Sequence, residues 1–162
     1  GVFSMEGDMA PLQKLVELKQ KYNAILFVDD AHGIGVVGKT GRGIAEYFGL
    51  LGRIDVIVGT LGKAIGGAAG GFVSASAEMV SYLRQKARTY VFSNSLPPSI
   101  VTASIAAIDL LSKDKSIVTW LHANTHYFRK EIENLGFKII EGSHPIVPIM
   151  LFEASIAVTL AS

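Results

Sequence analysis

Residues 24–33 read Ala24-Ile25-Leu26-Phe27-Val28-Asp29-Asp30-Ala31-His32-Gly33. The first five are apolar without alternation, as expected for a strand covered on both faces of a parallel sheet. Two acids and a histidine then fall at its carboxyl end, where open α/β sheets collect their ligands.

Upstream, Pro11 suits the first turn of a helix, and Leu12, Leu15, Val16 and Leu18 line one helical face up to about Tyr22. Downstream, residues 33–43 carry too many glycines for a helix, a short helix is predicted over 44–50, and the next strand over 54–59. A strand over 72–75, an amphipathic helix over 78–88 and a short strand over 90–92 follow. Pro97-Pro98 opens a helix over 99–111, and polar Ser112-Lys113-Asp114-Lys115-Ser116 marks a break. Beyond it come a helix over 117–135 ended by Gly136, strands over 137–140 and 146–152, and the first turns of a helix over 153–162. The expected class is α/β, a mostly parallel sheet flanked by helices. Residues 1–112 are assigned to a large domain and 113–162 to the beginning of a smaller α+β domain. A start without Met and a final helix without a cap lead us to expect truncation at both ends.

With 162 residues and 49% hydrophobic content the chain can bury one core. Fifteen basic residues against 14 acidic ones leave a net charge of +1, so no broad field draws nucleic acid or an anionic membrane. Cysteine is absent, which excludes disulfides, thiolate metal sites and thiol catalysis. The apolar runs fall far short of the roughly 20 residues that span a bilayer.

A second stretch carries chemistry: Gly59-Thr60-Leu61-Gly62-Lys63-Ala64-Ile65-Gly66-Gly67. An amine placed just past a buried strand can be partly desolvated, and the neutral amine is the form that attacks an aldehyde. Asp29 offers the complementary group, because a carboxylate against a pyridine nitrogen keeps it protonated and lets the ring accept electrons. Singly, Lys63 is better read as a solvated loop lysine, the acidic pair as a cap and His32 as a hydrogen-bonded structural histidine. Their combination points to pyridoxal 5'-phosphate.

Four separated motifs then agree. Gly1-Val2-Phe3-Ser4-Met5-Glu6-Gly7-Asp8, Val28-Asp29-Asp30-Ala31-His32-Gly33, Gly59-Thr60-Leu61-Gly62-Lys63-Ala64 and Phe92-Ser93-Asn94-Ser95-Leu96-Pro97 resemble the α-oxoamine synthases. The resemblance implies fold type I and a pyridoxal-phosphate-dependent acyltransferase that condenses an amino acid with an acyl-CoA. It implies that Lys63 forms the imine to the cofactor and that Asp29 pairs with the pyridine nitrogen. It also implies that Ser4 and His32 lie near the phenolic oxygen and that Thr60 contacts the phosphate. Ser93 and Asn94 would reach the cofactor of a neighbouring subunit in a cytoplasmic homodimer, although the residues alone fit a capped turn before Pro97 equally well. Within the family, Gly67-Ala68-Ala69-Gly70-Gly71 followed later by Phe92-Ser93-Asn94-Ser95 most resembles the members that join glycine to acetyl-CoA, giving 2-amino-3-oxobutyrate. Members that join L-alanine to pimeloyl-CoA come second. Lys63 is the natural base for the amino acid's proton, and His32 is expected to orient the ring and polarise the incoming carbonyl. The family's phosphate-binding helix terminus, ring-stacking His and carboxylate-binding Arg are not visible in this sequence, so a non-catalytic fragment is the third reading.

Other signals are discounted. Gly33-Ile34-Gly35-Val36-Val37-Gly38, with Asp55 downstream, fits the dinucleotide spacing, but Lys39-Thr40-Gly41-Arg42-Gly43 resists the helix that its third glycine must open. Gly62-Lys63 is followed by Ala64 where a P-loop needs Ser or Thr. His122 and His126 are read as solvated or interfacial, and His144-Pro145 as a turn without assigned function. No metal site is expected.

Overall fold

The computed structural model describes residues 1–67 and 69–161; Ala68, within the glycine run used above, and Ser162, at the end of the last predicted helix, lie outside them. The elements run α1 (Leu12–Tyr22), β1 (Phe27–Asp29), α2 (Ile44–Tyr47), β2 (Val56–Thr60), β3 (Gly71–Ala75), α3 (Ala77–Lys86) and α4 (Arg88–Val91). They continue as α5 (Pro98–Lys113), α6 (Ser116–Asn134), β4 (Lys138–Ile139), β5 (Ile149–Met150) and α7 (Ala154–Ala161).

β1 and β2 pair in parallel with Val28 opposite Ile57, and β3 joins β2 antiparallel with Val73 opposite Val58. The reversal at β3 follows from the connection, since residues 61–70 are too few for the crossover of a dozen or more residues that a parallel return requires. β4 and β5 form a separate antiparallel pair. The core sits where α1, β1 and α2 meet, at Leu12, Val28 and Ile44, with Met9, Leu26, Phe48, Leu50 and Ile54 packed around them. Lys19 ties α1 to the strand starts by a 2.6 Å ion pair to Asp55, whose other oxygen accepts from the Leu26 amide at 2.7 Å.

Two expectations are corrected. β1 is covered on one face only: Val28 is 5% exposed, whereas Phe27 is 60% exposed. α1 and α2 supply apolar partners on the Val28 side, and the Phe27 side opens onto a cleft. Residues 90–92 do not form a strand, for Tyr90 and Val91 belong to α4 and Phe92 closes it. Strand preference measures fit to a half-buried pleated surface. The sheet ends at β3, so among the described residues these side chains have no neighbouring strand to pair with.

The segment 33–43 folds back on itself. Ile34 bridges Arg42, Gly35 donates to the Gly41 carbonyl, and Glu46 accepts from the Thr40 amide and hydroxyl and from the Arg42 amide. No helix opens at Gly38; α2 begins at Ile44, so the dinucleotide reading lacks its helix terminus. Asp55, its candidate ribose ligand, is already bound to Lys19 and Leu26.

α2 starts on a buried carboxylate. Asp30 is 2% exposed, and its Oδ2 accepts from the Ile44 amide at 2.8 Å. Its Oδ1 finds no donor among the described residues, and burial pushes its pKa up. A side chain on Gly43 would collide with this carboxylate, and Gly43 also holds φ +82°, a conformation other residues adopt at a cost. Asp30→Ala leaves the Ile44 N–H buried without an acceptor, an expected loss of about 1–3 kcal/mol. Denaturant unfolding should show that loss, and hydrogen exchange should show faster exchange at the Ile44 amide.

Candidate active site

Alternation along the strand builds one wall. Val28 and Asp30 point inward, so Asp29 between them points outward, where its Oδ1 accepts from the Ala31 amide at 2.9 Å. The Asp30 carbonyl accepts from both Gly33 and Ile34, which closes a turn around half-buried His32.

The opposite wall is the turn that carries Lys63. Leu61 and Ile65 are buried at 8% and 6%, and they anchor the two ends of a loop in which Lys63 stands exposed. Gly66 donates to the Lys63 carbonyl at 3.0 Å and Gly67 to that of Leu61 at 2.7 Å. Gly35 brings the two walls together, since a Cβ there would lie 3.1 Å from Cβ of Ala64. Only a residue without a side chain permits that approach easily, and its φ of +82° adds a second reason.

Between the walls lies an open cleft of about 500 Å³. Asp29, His32, Lys63 and Ser4 all line it, together with Phe3 and Phe27. The size suits a small-molecule ligand, for which roughly 300–1,000 Å³ is usual. Burial lowers the His32 pKa, the Lys63 cation lowers it further, and the Asp29 carboxylate opposes both. An amine for an aldehyde and an acid for a ring nitrogen thus face one space, which fits pyridoxal phosphate in its ring and aldehyde parts.

The remaining candidates lie elsewhere. The Thr60 hydroxyl donates to the Gly70 carbonyl and accepts from the Gly62 amide, both at 3.2 Å, and Thr60 does not line the cleft. Ser93 and Asn94 are exposed outside it, Ser93 donating to the Asn94 carbonyl. His122 reaches the Val36 carbonyl at 2.8 Å, and among the described residues no cluster of His, Asp or Glu is placed to hold a metal. No helix among those residues is long and apolar enough to cross a membrane.

Sequence reasoning missed three things. Phe27 is a cleft wall rather than core. Asp30 caps a helix 14 residues away. His144 is 3% exposed, with its ring against the His32 carbonyl, more than the turn assigned to it.

The family model for aminotransferase class I and II matches residues 1–162. The chain belongs to this family. It is 47% identical over 161 residues to the mitochondrial 2-amino-3-ketobutyrate coenzyme A ligase of Bos taurus, covering 99% of this chain and 38% of that protein. It is also 47% identical over 157 residues to the 8-amino-7-oxononanoate synthase of Thermosipho melanesiensis, covering 97% of this chain and 40% of that protein. Among solved structures, a lysine-to-alanine variant of serine palmitoyltransferase from S. paucimobilis with bound PLP–myriocin aldimine superposes with a TM-score of 0.87 at 34% identity, covering 97% of this chain and 41% of that one. The fold is therefore that of the fold-type I pyridoxal-phosphate enzymes, and the resemblance to the α-oxoamine synthases holds. The chain spans about 40% of the length of the curated relatives it matches.

The geometry around His32 makes a signed prediction for the cofactor-free protein. In an NMR titration, His32 should titrate below an ordinary histidine. Lys63→Met should move its pKa up, and Asp29→Asn should move it further down. A His32 pKa that responds to neither change would contradict a shared cleft.

Proposed function

We propose that the whole protein is a pyridoxal-phosphate-dependent acyltransferase that condenses glycine with acetyl-CoA to 2-amino-3-oxobutyrate and CoA, or runs the reverse cleavage. The observation that carries this reading is the convergence of Asp29, His32 and Lys63 on one cleft. The relatives named 2-amino-3-ketobutyrate coenzyme A ligase and the PLP-bearing serine palmitoyltransferase support it. A second reading, L-alanine with pimeloyl-CoA, is favoured by the equal identity to an 8-amino-7-oxononanoate synthase.

Bound pyridoxal phosphate supplies an aldehyde carbon and a ring that takes up the electron pair left at the amino acid's α-carbon. Asp29 accepts the N–H of the ring nitrogen and, by its charge, keeps that proton in place. Lys63 would hold the cofactor through its amine, and its Nζ, when free, would be placed to take the α-proton of the amino acid. His32 would orient the ring and polarise the incoming thioester carbonyl, and Ser4 would bind near the phenolic oxygen. Thr60 serves the phosphate after its hydroxyl turns from the Gly70 carbonyl. Ser93 and Asn94, exposed in this chain, serve the site of a second subunit in a homodimer. Residues 1–112 belong to the cofactor-binding domain and 113–162 to the small one.

The test is the full-length protein with pyridoxal phosphate. A visible absorption band should form and disappear in Lys63→Ala; retention of the band in that variant would refute the assignment. Asp29→Asn should keep the band but lower kcat by roughly 10²–10³-fold, the scale of one lost preorganised electrostatic partner. Glycine with acetyl-CoA should turn over faster than L-alanine with pimeloyl-CoA, and the opposite order selects the second reading. A protein that binds the cofactor yet turns over neither pair supports a non-catalytic role.

A further inference from the structure

His144 lies in the segment between β4 and β5 and is 3% exposed, yet both ring nitrogens are bonded. Nδ1 accepts from the Ile146 amide at 3.0 Å. An imidazole that accepts at one nitrogen carries its proton on the other, so Nε2–H is the donor to the His32 carbonyl, 3.0 Å away and 112 residues distant in sequence.

The imidazole is itself held from behind. Arg129 of α6, 8% exposed, donates to the His144 carbonyl from Nε at 3.3 Å and from Nη2 at 2.9 Å. It also donates to the Ile146 carbonyl at 2.9 Å and the Ile140 carbonyl at 2.8 Å. Four bonds from one planar guanidinium fix the segment to α6. The His32 carbonyl takes no part in the turn that Asp30 closes, and among the described residues His144 is its one donor. The His32–Gly33 peptide is thus held at both ends, its amide by the Asp30 carbonyl within the turn and its carbonyl by His144 from outside the cleft, so His144 supplies one of the two anchors behind the ring that lines the cleft.

We propose that His144 is a positioning residue for His32, linking α6 and the β4–β5 segment to the candidate active site through the His32 carbonyl. This rests on the reading of His32 as a site residue given above. A contact that only fastened two segments together would affect stability alone, whereas a positioning contact also sets where the His32 ring stands between Lys63 and Asp29.

Two conservative substitutions separate the halves of the contact. His144→Gln can present an amide N–H near the place of Nε2 and restore the bond to His32, while His144→Asn can present a carbonyl near the place of Nδ1 and restore the bond to Ile146. In the full-length protein the thermal midpoint, the His32 titration without cofactor and the kcat and KM with it are measured for both. His144→Asn should shift the His32 titration and lower kcat about tenfold, the scale of one hydrogen bond, with KM little changed. His144→Gln should bring both back toward the parent even where its midpoint is as low as that of Asn. Equal His32 titrations in parent, Asn and Gln, with kcat following only the midpoint, would overturn the proposal. Should the parent turn over no substrate pair, the acyltransferase reading falls, and the His32 titration still decides this one.

Discussion

The buried carboxylate of Asp30 is the constraint on which the site depends. It caps α2 through the Ile44 amide, and its backbone carbonyl closes the turn that carries His32. Because side chains alternate along a strand, sending Asp30 inward sends Asp29 outward. A one-residue slip would bury Asp29 and turn Asp30 out toward the cleft, taking its carboxylate away from the Ile44 amide. Burial raises the Asp30 pKa, and the shift has a sign: folding favours the protonated form of Asp30, and that share of stability is lost as pH rises through the folded pKa. The uncharged form suits an oxygen that no donor among the described residues reaches, and the Ile44 bond offsets part of the cost of the charged form.

The second wall is set by packing rather than charge. Leu61 and Ile65 hold the Lys63 turn to the core, Gly35 lets the 33–43 segment lie against Ala64, and α5 brings Ser104 against Gly67. The glycines that the dinucleotide pattern drew attention to thus let two loops touch. The amine and the carboxylate end up on rigid supports, and His32 feels both charges at once. The acid and the amine thus face the same open cleft.

Much of this was legible in the sequence, and the misses have physical causes. α1, β2, β3, α5 and α6 follow from apolar periodicity and from Pro and Gly placement, signals that lie within each element. That Asp29, His32 and Lys63 face one cleft follows from reactive residue types placed at or just past strand ends. The strand expected over 90–92 failed because β preference needs a partner strand, and periodicity cannot report whether one is there. Phe27 was placed in the core because an unbroken apolar run cannot say which face lacks a cover. Arg129 and His144 left no trace because their partners are backbone carbonyls and one backbone amide, groups that almost every residue possesses.

Equal identity to relatives named for two different acyl transfers bears on where specificity resides. Under the proposed chemistry, both reactions demand the same opening steps: an amine on an aldehyde, a proton taken from the α-carbon and a ring able to store the electron pair. In that proposal Asp29, His32 and Lys63 would serve the shared steps, so selection among acyl donors would act on them only weakly. Discrimination between a short and a long acyl chain needs apolar surface that either accommodates extra methylenes or excludes them, at about 0.8 kcal/mol per methylene buried. The polar groups that line this cleft offer no such gauge. Under that proposal the polar residues would determine the class of chemistry, and apolar surface would choose the acyl chain.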